Sequence, residues 1–112
     1  RGIDNCLFCY SIDTFNKISN KLNELPFTKK DARDFNRFFM SGATNVELDK
    51  QGRINISTVL INYAHLIKDC VIIGTGDRIE IWSSDNWESF FNSTKDIMSD
   101  IAENLFNESV NL

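Results

Sequence analysis

Five consecutive residues, Asp49, Lys50, Gln51, Gly52 and Arg53, place two cations on a tight turn. Glycine favours the positive φ that a sharp reversal needs. Arginine offers a planar fork of donors that fits guanine or a phosphate, and lysine acts as a point charge on phosphate. Aspartate cannot bind an anion, so we expect Asp49 to orient the turn or to bond Arg53 or nearby amides. These five residues predict contact with DNA, although so short a string alone also fits an ordinary solvated turn.

The other residue types that could carry chemistry do not complete a site. Cys6 and Cys9 form one C-x-x-C pair, and His65 is the single histidine, whereas a structural zinc site needs four ligands. We expect these two cysteines and Cys70 to be reduced and mostly buried, as in a cytosolic protein. There is no Gly-rich phosphate loop and no carboxylate pair with a histidine. The sequence therefore predicts no enzyme, no cofactor and no metal.

Charge is distributed unevenly along the chain. The net charge is −4, but residues 85–112 hold six acids and one lysine, which leaves residues 1–84 slightly positive. A nucleic-acid surface needs a local basic patch rather than a basic total. A second basic cluster, Lys29, Lys30, Arg33 and Arg37, fits a solvated helix face or ion pairs between subunits better than DNA contact. No apolar run approaches the ~20 residues that span a bilayer, so we expect a cytoplasmic protein. The predicted contact with DNA would make it nucleoid-associated.

Hydrophobic periodicity predicts a mixed chain of helices and strands. Strands are expected at 5–10, at 70–74, at 78–82 and in a hairpin over 44–56, and the apolar segments 5–10 and 70–74 are expected to be buried. Helices are expected at 13–24, 29–40, 58–65 and 85–106. Ser11 or Asp13 and Thr28 with Asp31 are candidate caps, and Gly42 is expected to end the second helix. The tail from residue 107 is expected to fray.

A shift of 72 residues aligns two parts of the chain. Ser11 then falls on Ser83, Tyr10 on Trp82, and a strand, a Ser-x-Asp cap and a helix recur in each part. Such self-similarity indicates duplicated units. The second unit begins near residue 42 with the hairpin, while the corresponding hairpin of the first unit would precede residue 1. We therefore expect that roughly 30 residues of the natural start are absent or disordered.

Four segments in the same order resemble the MraZ family of bacterial transcriptional regulators, and the resemblance runs over about residues 1–91. The segments are Leu25-Pro26-Phe27-Thr28 with Asp31-Ala32-Arg33, Arg37-Phe38-Phe39, Glu47-Leu48-Asp49-Lys50-Gln51-Gly52-Arg53-Ile54, and Gly76-Asp77-Arg78-Ile79-Glu80-Ile81-Trp82. One departure lies in 56–66, where the prolines that are usual in the family are absent. Ile61 also replaces the family's arginine, so an ion pair or backbone contact at that position is not carried over.

The resemblance implies an α+β fold, a double-repeat AbrB-like swapped-hairpin β-barrel with packed helices. Residues 1–40 would be the end of the first repeat with its linker helices, and 41–112 the second repeat. It implies rings of about seven or eight subunits, closed by repetition of one contact. It also implies binding to direct repeats of double-stranded promoter DNA, with repression of the protein's own division and cell-wall gene cluster. Non-enzymatic assembly without DNA binding, or an AbrB-like antitoxin, is the alternative hypothesis.

Overall fold

A computed structural model describes residues 1–106, and its class is α+β, as the sequence predicted. The expected fraying after residue 107 lies outside the described residues. In chain order the strands are β1 (Leu7–Cys9), β2 (Cys70–Gly74) and β3 (Ile79–Ser83). The helices are α1 (Ile12–Asn23), α2 (Lys30–Met40), α3 (Thr58–Ala64), α4 (Ser84–Thr94) and α5 (Met98–Phe106), with a 3₁₀ turn at Lys95–Ile97 between the last two.

The three strands form one antiparallel sheet in the order β1-β3-β2. β1 pairs with β3 so that Phe8 lies opposite Glu80, and Leu7 lies opposite Ile81. The shift of 72 residues relates Phe8 to Glu80 themselves. The two repeat units therefore meet at an approximate two-fold axis that passes between these residues, and each unit contributes one strand to the contact.

Equivalent serines begin the helix that follows each of these strands. The Ser11 side chain accepts a hydrogen bond from the Thr14 amide at 3.2 Å, and the Ser83 side chain accepts one from the Asn86 amide at 3.1 Å. Each serine satisfies one of the amides that a helix N-terminus leaves without an intrahelical partner. Because the two caps are 72 residues apart, the repeat found in the sequence is also a repeat of local structure.

The core lies on both faces of this sheet. On one face Leu7 and Ile81 pack with Ala64 of α3, and Ile56 and Leu60 close the cluster. The other face is aromatic. The ring of Trp82 contacts those of Trp87 and Phe90, while Tyr10 contacts Phe15 and Phe39. Through these contacts Trp82, Trp87 and Tyr10 contribute to the packing of this face.

The prediction of a buried strand at 70–74 is wrong. β2 has β3 as its only sheet neighbour among the described residues, and Ile72 is 68% exposed. Cys70 is also exposed, in contrast to the fully buried Cys6 and the half-buried Cys9. An apolar run marks a strand but does not show how many of its faces are covered, because that depends on which other segments fold against it.

The hairpin expected over 44–56 forms only at its tip. No strand is assigned on either side of the turn, and Val46 and Leu48 are 41% and 72% exposed. Two strands without a third neighbour or a packed face are only marginally stable in water. The alternating pattern therefore predicted a ladder that these two segments do not form by themselves.

Two further predictions about helix ends need correction. The helix expected over 85–106 is interrupted by the 3₁₀ turn at Lys95–Ile97. Thr28 does not cap the second helix, because Lys29 occupies the N-cap position and makes no side-chain capping bond. Gly42, in contrast, has a φ of 82° immediately after the C-cap of α2, as expected of a glycine that ends a helix.

A small polar network lies across the approximate two-fold axis. Glu80 accepts hydrogen bonds from the Arg78 Nε atom and from the Trp82 Nε1 atom, both at 3.0 Å. The Arg78 guanidinium also lies over the Phe8 ring, 4.5 Å from its centroid. Arg78 and Glu80 thus form their ion pair within the chain. The Glu80 side chain is only 12% exposed, so its charge depends on these partners.

Replacement of Glu80 by alanine removes the acceptor on which two donors depend. We expect Glu80→Ala to lower the free energy of unfolding by about 2–3 kcal/mol, since the Trp82 indole loses its acceptor and the partly buried Arg78 keeps only its exposed partner Asp77. Denaturant unfolding with an unchanged slope measures this loss. Glu88→Ala, at an exposed carboxylate of α4, is the control and should change stability by less than about 0.5 kcal/mol. Equal losses for the two variants would contradict the assignment.

The three thiols are expected to react at different rates. Burial raises the pKa of Cys6 to about 11, and the nearby Glu80 charge acts in the same direction. Since the thiolate is the reactive form, Cys6 should resist alkylation near neutral pH, while the exposed Cys70 is modified first. Mass spectrometry of peptides after brief labelling would show the order. Labelling of Cys6 as fast as Cys70 in the folded protein would refute it.

Candidate nucleic-acid interface

The predicted site residues form one well-defined turn. The Gly52 amide donates to the Asp49 carbonyl at 3.0 Å, and the Asp49 amide donates to the Arg53 carbonyl at 2.9 Å. Gly52 has a φ of 75°, as its position in the sequence predicted. This is the pattern of a three-residue hairpin loop in which a β-turn is followed by a left-handed glycine. A side chain at position 52 would meet no neighbouring atom within 4 Å, so backbone conformation rather than space requires glycine there.

Asp49 organises the turn, in the way expected from the sequence. One carboxylate oxygen accepts the amides of Arg53 and Gln51, at 2.8 and 2.9 Å, and the other accepts the Arg53 Nε atom at 3.3 Å. The hydrogen bond from the Arg53 amide, followed by the others, lowers the pKa of Asp49 below its usual value. The carboxylate therefore stays charged at neutral pH and replaces strand pairing as the restraint on this loop.

The Arg53 side chain is exposed but restrained. Its Nε atom bonds Asp49, and one terminal nitrogen donates to the side-chain oxygen of Gln51. Sequence reasoning gave Gln51 no role of its own, although its position two residues before Arg53 places both side chains at the same tip. An arginine offers five donors, so these two bonds leave three for a ligand. Lys50 is exposed at the tip as well.

The segments that lead to the turn border an open groove of about 530 Å³. Val46 lies on one side of the turn, Ile54 and Ile56 lie on the other, and all three line the groove together with β1 and α1. The turn itself does not line it. The groove is thus an apolar support beside the segments that carry the turn, whereas the cations project from the end of those segments.

The second basic cluster is separate from the turn in sequence and is partly neutralised. Lys30 and Arg37 pair with Asp34 at 2.6 and 3.5 Å, and Arg33 donates to the Phe27 carbonyl at 3.0 Å. These exposed pairs agree with the interpretation as a solvated helix face.

His65 lies at the C-cap of α3 in a left-handed conformation, with φ 55°. Its side chain is exposed, and its observed part in the fold is this cap.

Residue 1 was not singled out by sequence reasoning. The Arg1 guanidinium donates to Ser41 and lies over the Tyr63 ring, 5.6 Å from its centroid. The Tyr63 hydroxyl donates to the Gly2 carbonyl at 2.6 Å. These contacts tie the first residues to the end of α2 and to α3. A single terminal arginine carries no periodic or motif signal that would have predicted them.

No group of three or more histidine, cysteine, aspartate or glutamate side chains in residues 1–106 is arranged to hold a metal ion. None of the helices in that range is both long enough and apolar enough to cross a membrane.

The fold and the site together define a duplicated α+β protein that presents a cationic turn. The sequence model of a family described as "MraZ protein, putative antitoxin-like" matches residues 1–38 and 39–108. The chain belongs to the MraZ family, a regulator-type family. The two successive matches confirm the two-repeat organisation that the 72-residue shift indicated. The family is compatible with a DNA-binding regulator and with an AbrB-like protein.

The structure of the turn makes Asp49 testable without DNA. Asp49→Ala removes the acceptor for the Gln51 and Arg53 amides, so we expect these amides to exchange hydrogen about tenfold faster or more. Asp49→Asn keeps an oxygen acceptor and should retain most of the protection. Because the folded pKa is lowered, protection in the wild type should persist at neutral pH and fall as the carboxylate is protonated in acid. Exchange measured residue by residue by NMR would show this, and equal rates in Asp49→Ala and wild type would contradict it.

Proposed function

We propose that the protein is a sequence-specific DNA-binding transcriptional regulator that acts as a homo-oligomer. Each subunit presents the turn Asp49, Lys50, Gln51, Gly52 and Arg53 to double-stranded promoter DNA. The observation that carries the proposal is the Arg53 guanidinium, which two neighbouring side chains hold at an exposed tip with donors to spare. A restrained arginine loses less conformational freedom on binding than a mobile one, so its contacts contribute more affinity.

The geometry suits readout from a groove. The major groove admits a two-stranded ribbon, so a hairpin tip is slim enough to enter it, and arginine can there donate to O6 and N7 of guanine. Lys50 would neutralise a phosphate beside it and contribute affinity with little sequence preference. One such turn binds weakly. Several turns on one assembly, each meeting one copy of a direct repeat, gain through effective concentration.

The finer architecture is part of the proposal. We propose that residues 1–40 complete the first repeat and 41–112 form the second, and that the segments around the turn belong to a swapped-hairpin barrel. Support comes from the β1–β3 pairing about an approximate two-fold axis, since both units then contribute equivalent strands to one sheet. Further support is the apolar groove beside Val46 and Ile54, which gives the arms of a hairpin a face to cover.

The resemblance to the family supports the biological setting that we propose. The oligomer is a closed ring of about seven or eight subunits, as repeated head-to-tail contacts allow. It represses the promoter of its own division and cell-wall gene cluster and acts at the nucleoid. An AbrB-like antitoxin is the alternative, which the family's antitoxin-like description favours. An antitoxin would form a stable complex with a toxin protein, whereas the proposed regulator binds direct-repeat DNA without one.

Arg53→Ala should weaken binding to a direct-repeat promoter fragment by at least about tenfold, because each bidentate base contact contributes ~1–3 kcal/mol. Arg53→Lys keeps the charge but loses the fork, so it should lose discrimination against a scrambled fragment while retaining salt-dependent affinity. Fluorescence anisotropy at several salt concentrations measures both quantities.

Lys17→Ala, which removes an exposed cation of α1 far along the chain from the turn, is the matched control and should leave binding almost unchanged. The subunit mass of each variant is measured in parallel, so that loss of assembly is not mistaken for loss of DNA contact. Unchanged promoter binding by Arg53→Ala at moderate salt would rule out the assignment of the turn.

A further inference from the structure

The end of the described chain carries an exposed surface with two parallel stripes, which we call the acidic helix surface. Ile97, Ile101 and Leu105 recur every four residues, and Asp96, Asp100 and Glu103 recur at spacings of four and three. Residues at such spacings lie on one side of a helix, so Ile101 and Leu105 share one side of α5, and Asp100 and Glu103 share another. Ile97 and Asp96 precede them in the 3₁₀ turn at Lys95–Ile97. Ile97 is 47% exposed and Leu105 is 60% exposed.

This surface has no partner within the described residues. α5 contains no buried residue and packs chiefly against the 3₁₀ turn that precedes it. None of the three carboxylates of the surface, Asp96, Asp100 and Glu103, belongs to an ion pair formed inside residues 1–106. Residues 84–106 hold five acids and one lysine. Single exposed apolar side chains are normal on a protein surface, whereas several large ones side by side mark an interaction site.

A second exposed surface of the same chain has the opposite charge, and we call it the basic loop surface. Phe27 is 80% exposed and Leu25 is 42% exposed, in the loop between α1 and α2. The Arg33 side chain reaches back to the Phe27 carbonyl, and Lys29 follows in the same loop. Residues 24–37 carry four cations against Glu24, Asp31 and Asp34, so this part of the chain has a net charge of +1. It therefore combines apolar side chains with cations, as the acidic helix surface combines them with carboxylates.

We propose that the acidic helix surface of one subunit docks on the basic loop surface of a second copy of this chain. Apolar contacts of Leu105 and Ile97 with Phe27 and Leu25 would form its centre, and the carboxylates and cations would form its rim. Interfaces between subunits commonly have this arrangement of apolar centre and polar rim. DNA is a poorer occupant of the basic loop surface, because phosphates would pair with its cations and leave Phe27 exposed to water.

The two surfaces differ, so the contact is head-to-tail rather than self-complementary. Such contacts generate a ring when the rotation between neighbours closes and a filament when it does not. The inference rests on the proposed homo-oligomer and adds which surfaces hold it together. It also gives the basic cluster at 29–37 a role that is separate from DNA binding by the turn.

Replacement of the exposed apolar side chains by polar ones tests the centre of the interface. Leu105→Gln and Phe27→Ser should each raise the subunit dissociation constant about tenfold or more, since a central anchor commonly carries that much of an interface. Both side chains are largely exposed in the single subunit, so circular dichroism and thermal unfolding should show intact folding. Ile67→Gln, at a residue 90% exposed outside both surfaces, is the control and should assemble like wild type. Sedimentation velocity over a range of concentrations gives the constants.

Charge exchange tests the rim. Lys29→Glu and Asp100→Lys should each weaken assembly, and the chain that carries both substitutions should assemble better than either single variant, because the charges are again complementary. A wild-type chain that stays monomeric at about 100 µM would overturn the interface, as would unchanged assembly of Leu105→Gln and Phe27→Ser.

The DNA measurement keeps the two proposals apart. If Arg53→Ala abolishes promoter binding while Leu105→Gln and Phe27→Ser assemble normally, the DNA-binding turn stands and the interface is wrong. If assembly behaves as expected but Arg53→Ala binds DNA like wild type, the interface stands and the assignment of the turn is wrong. If Lys29→Glu weakens DNA binding and leaves the subunit mass unchanged, the basic loop surface is a DNA contact and the docking is refuted.

Discussion

The antiparallel pairing of β1 with β3 is the contact on which the other parts of the molecule depend. It brings together residues that are 72 positions apart and places Phe8 opposite its own repeat equivalent, Glu80. Residues close in sequence do not cover both faces of either strand. Once paired, they place Leu7 and Ile81 against α3 on one face and the Trp82 ring against α4 on the other. The helices that start at Ser11 and Ser83 then leave the sheet from equivalent points.

At the approximate two-fold axis the duplicated units have different chemistry. In the second repeat Glu80 forms an ion pair with Arg78 and accepts a hydrogen bond from the Trp82 indole. The equivalent positions in the first repeat are occupied by Phe8, Cys6 and Tyr10, respectively. The cation–π contact of Arg78 with Phe8 joins the two sets. Two carboxylates directly opposite each other would repel, so Phe8 opposite Glu80 avoids a destabilising pair of like charges.

The features that the sequence predicted well are those with short-range causes. Ser11, Ser83, Gly42 and Gly52 act through hydrogen bonds or dihedral angles within a few residues, and the structure places each as expected. The edge position of β2 was not predictable, because an apolar run such as 70–74 has the same pattern whether one face or two are covered. The break at Lys95–Ile97 likewise carries no glycine or proline signal.

Within the candidate site, too, one part is determined by nearby residues and another part depends on distant contacts. The tip at 49–53 is organised by Asp49 through bonds to residues two and four positions away, so it forms although the flanking segments do not pair as strands. Those segments depend on contacts distant in sequence, and their alternating pattern says nothing about what covers them. A loop that is shaped locally can keep its cations in register while the arms that carry it adjust. This independence suits the proposed contact of the turn with DNA, since the geometry of the tip does not depend on how its flanking segments are packed.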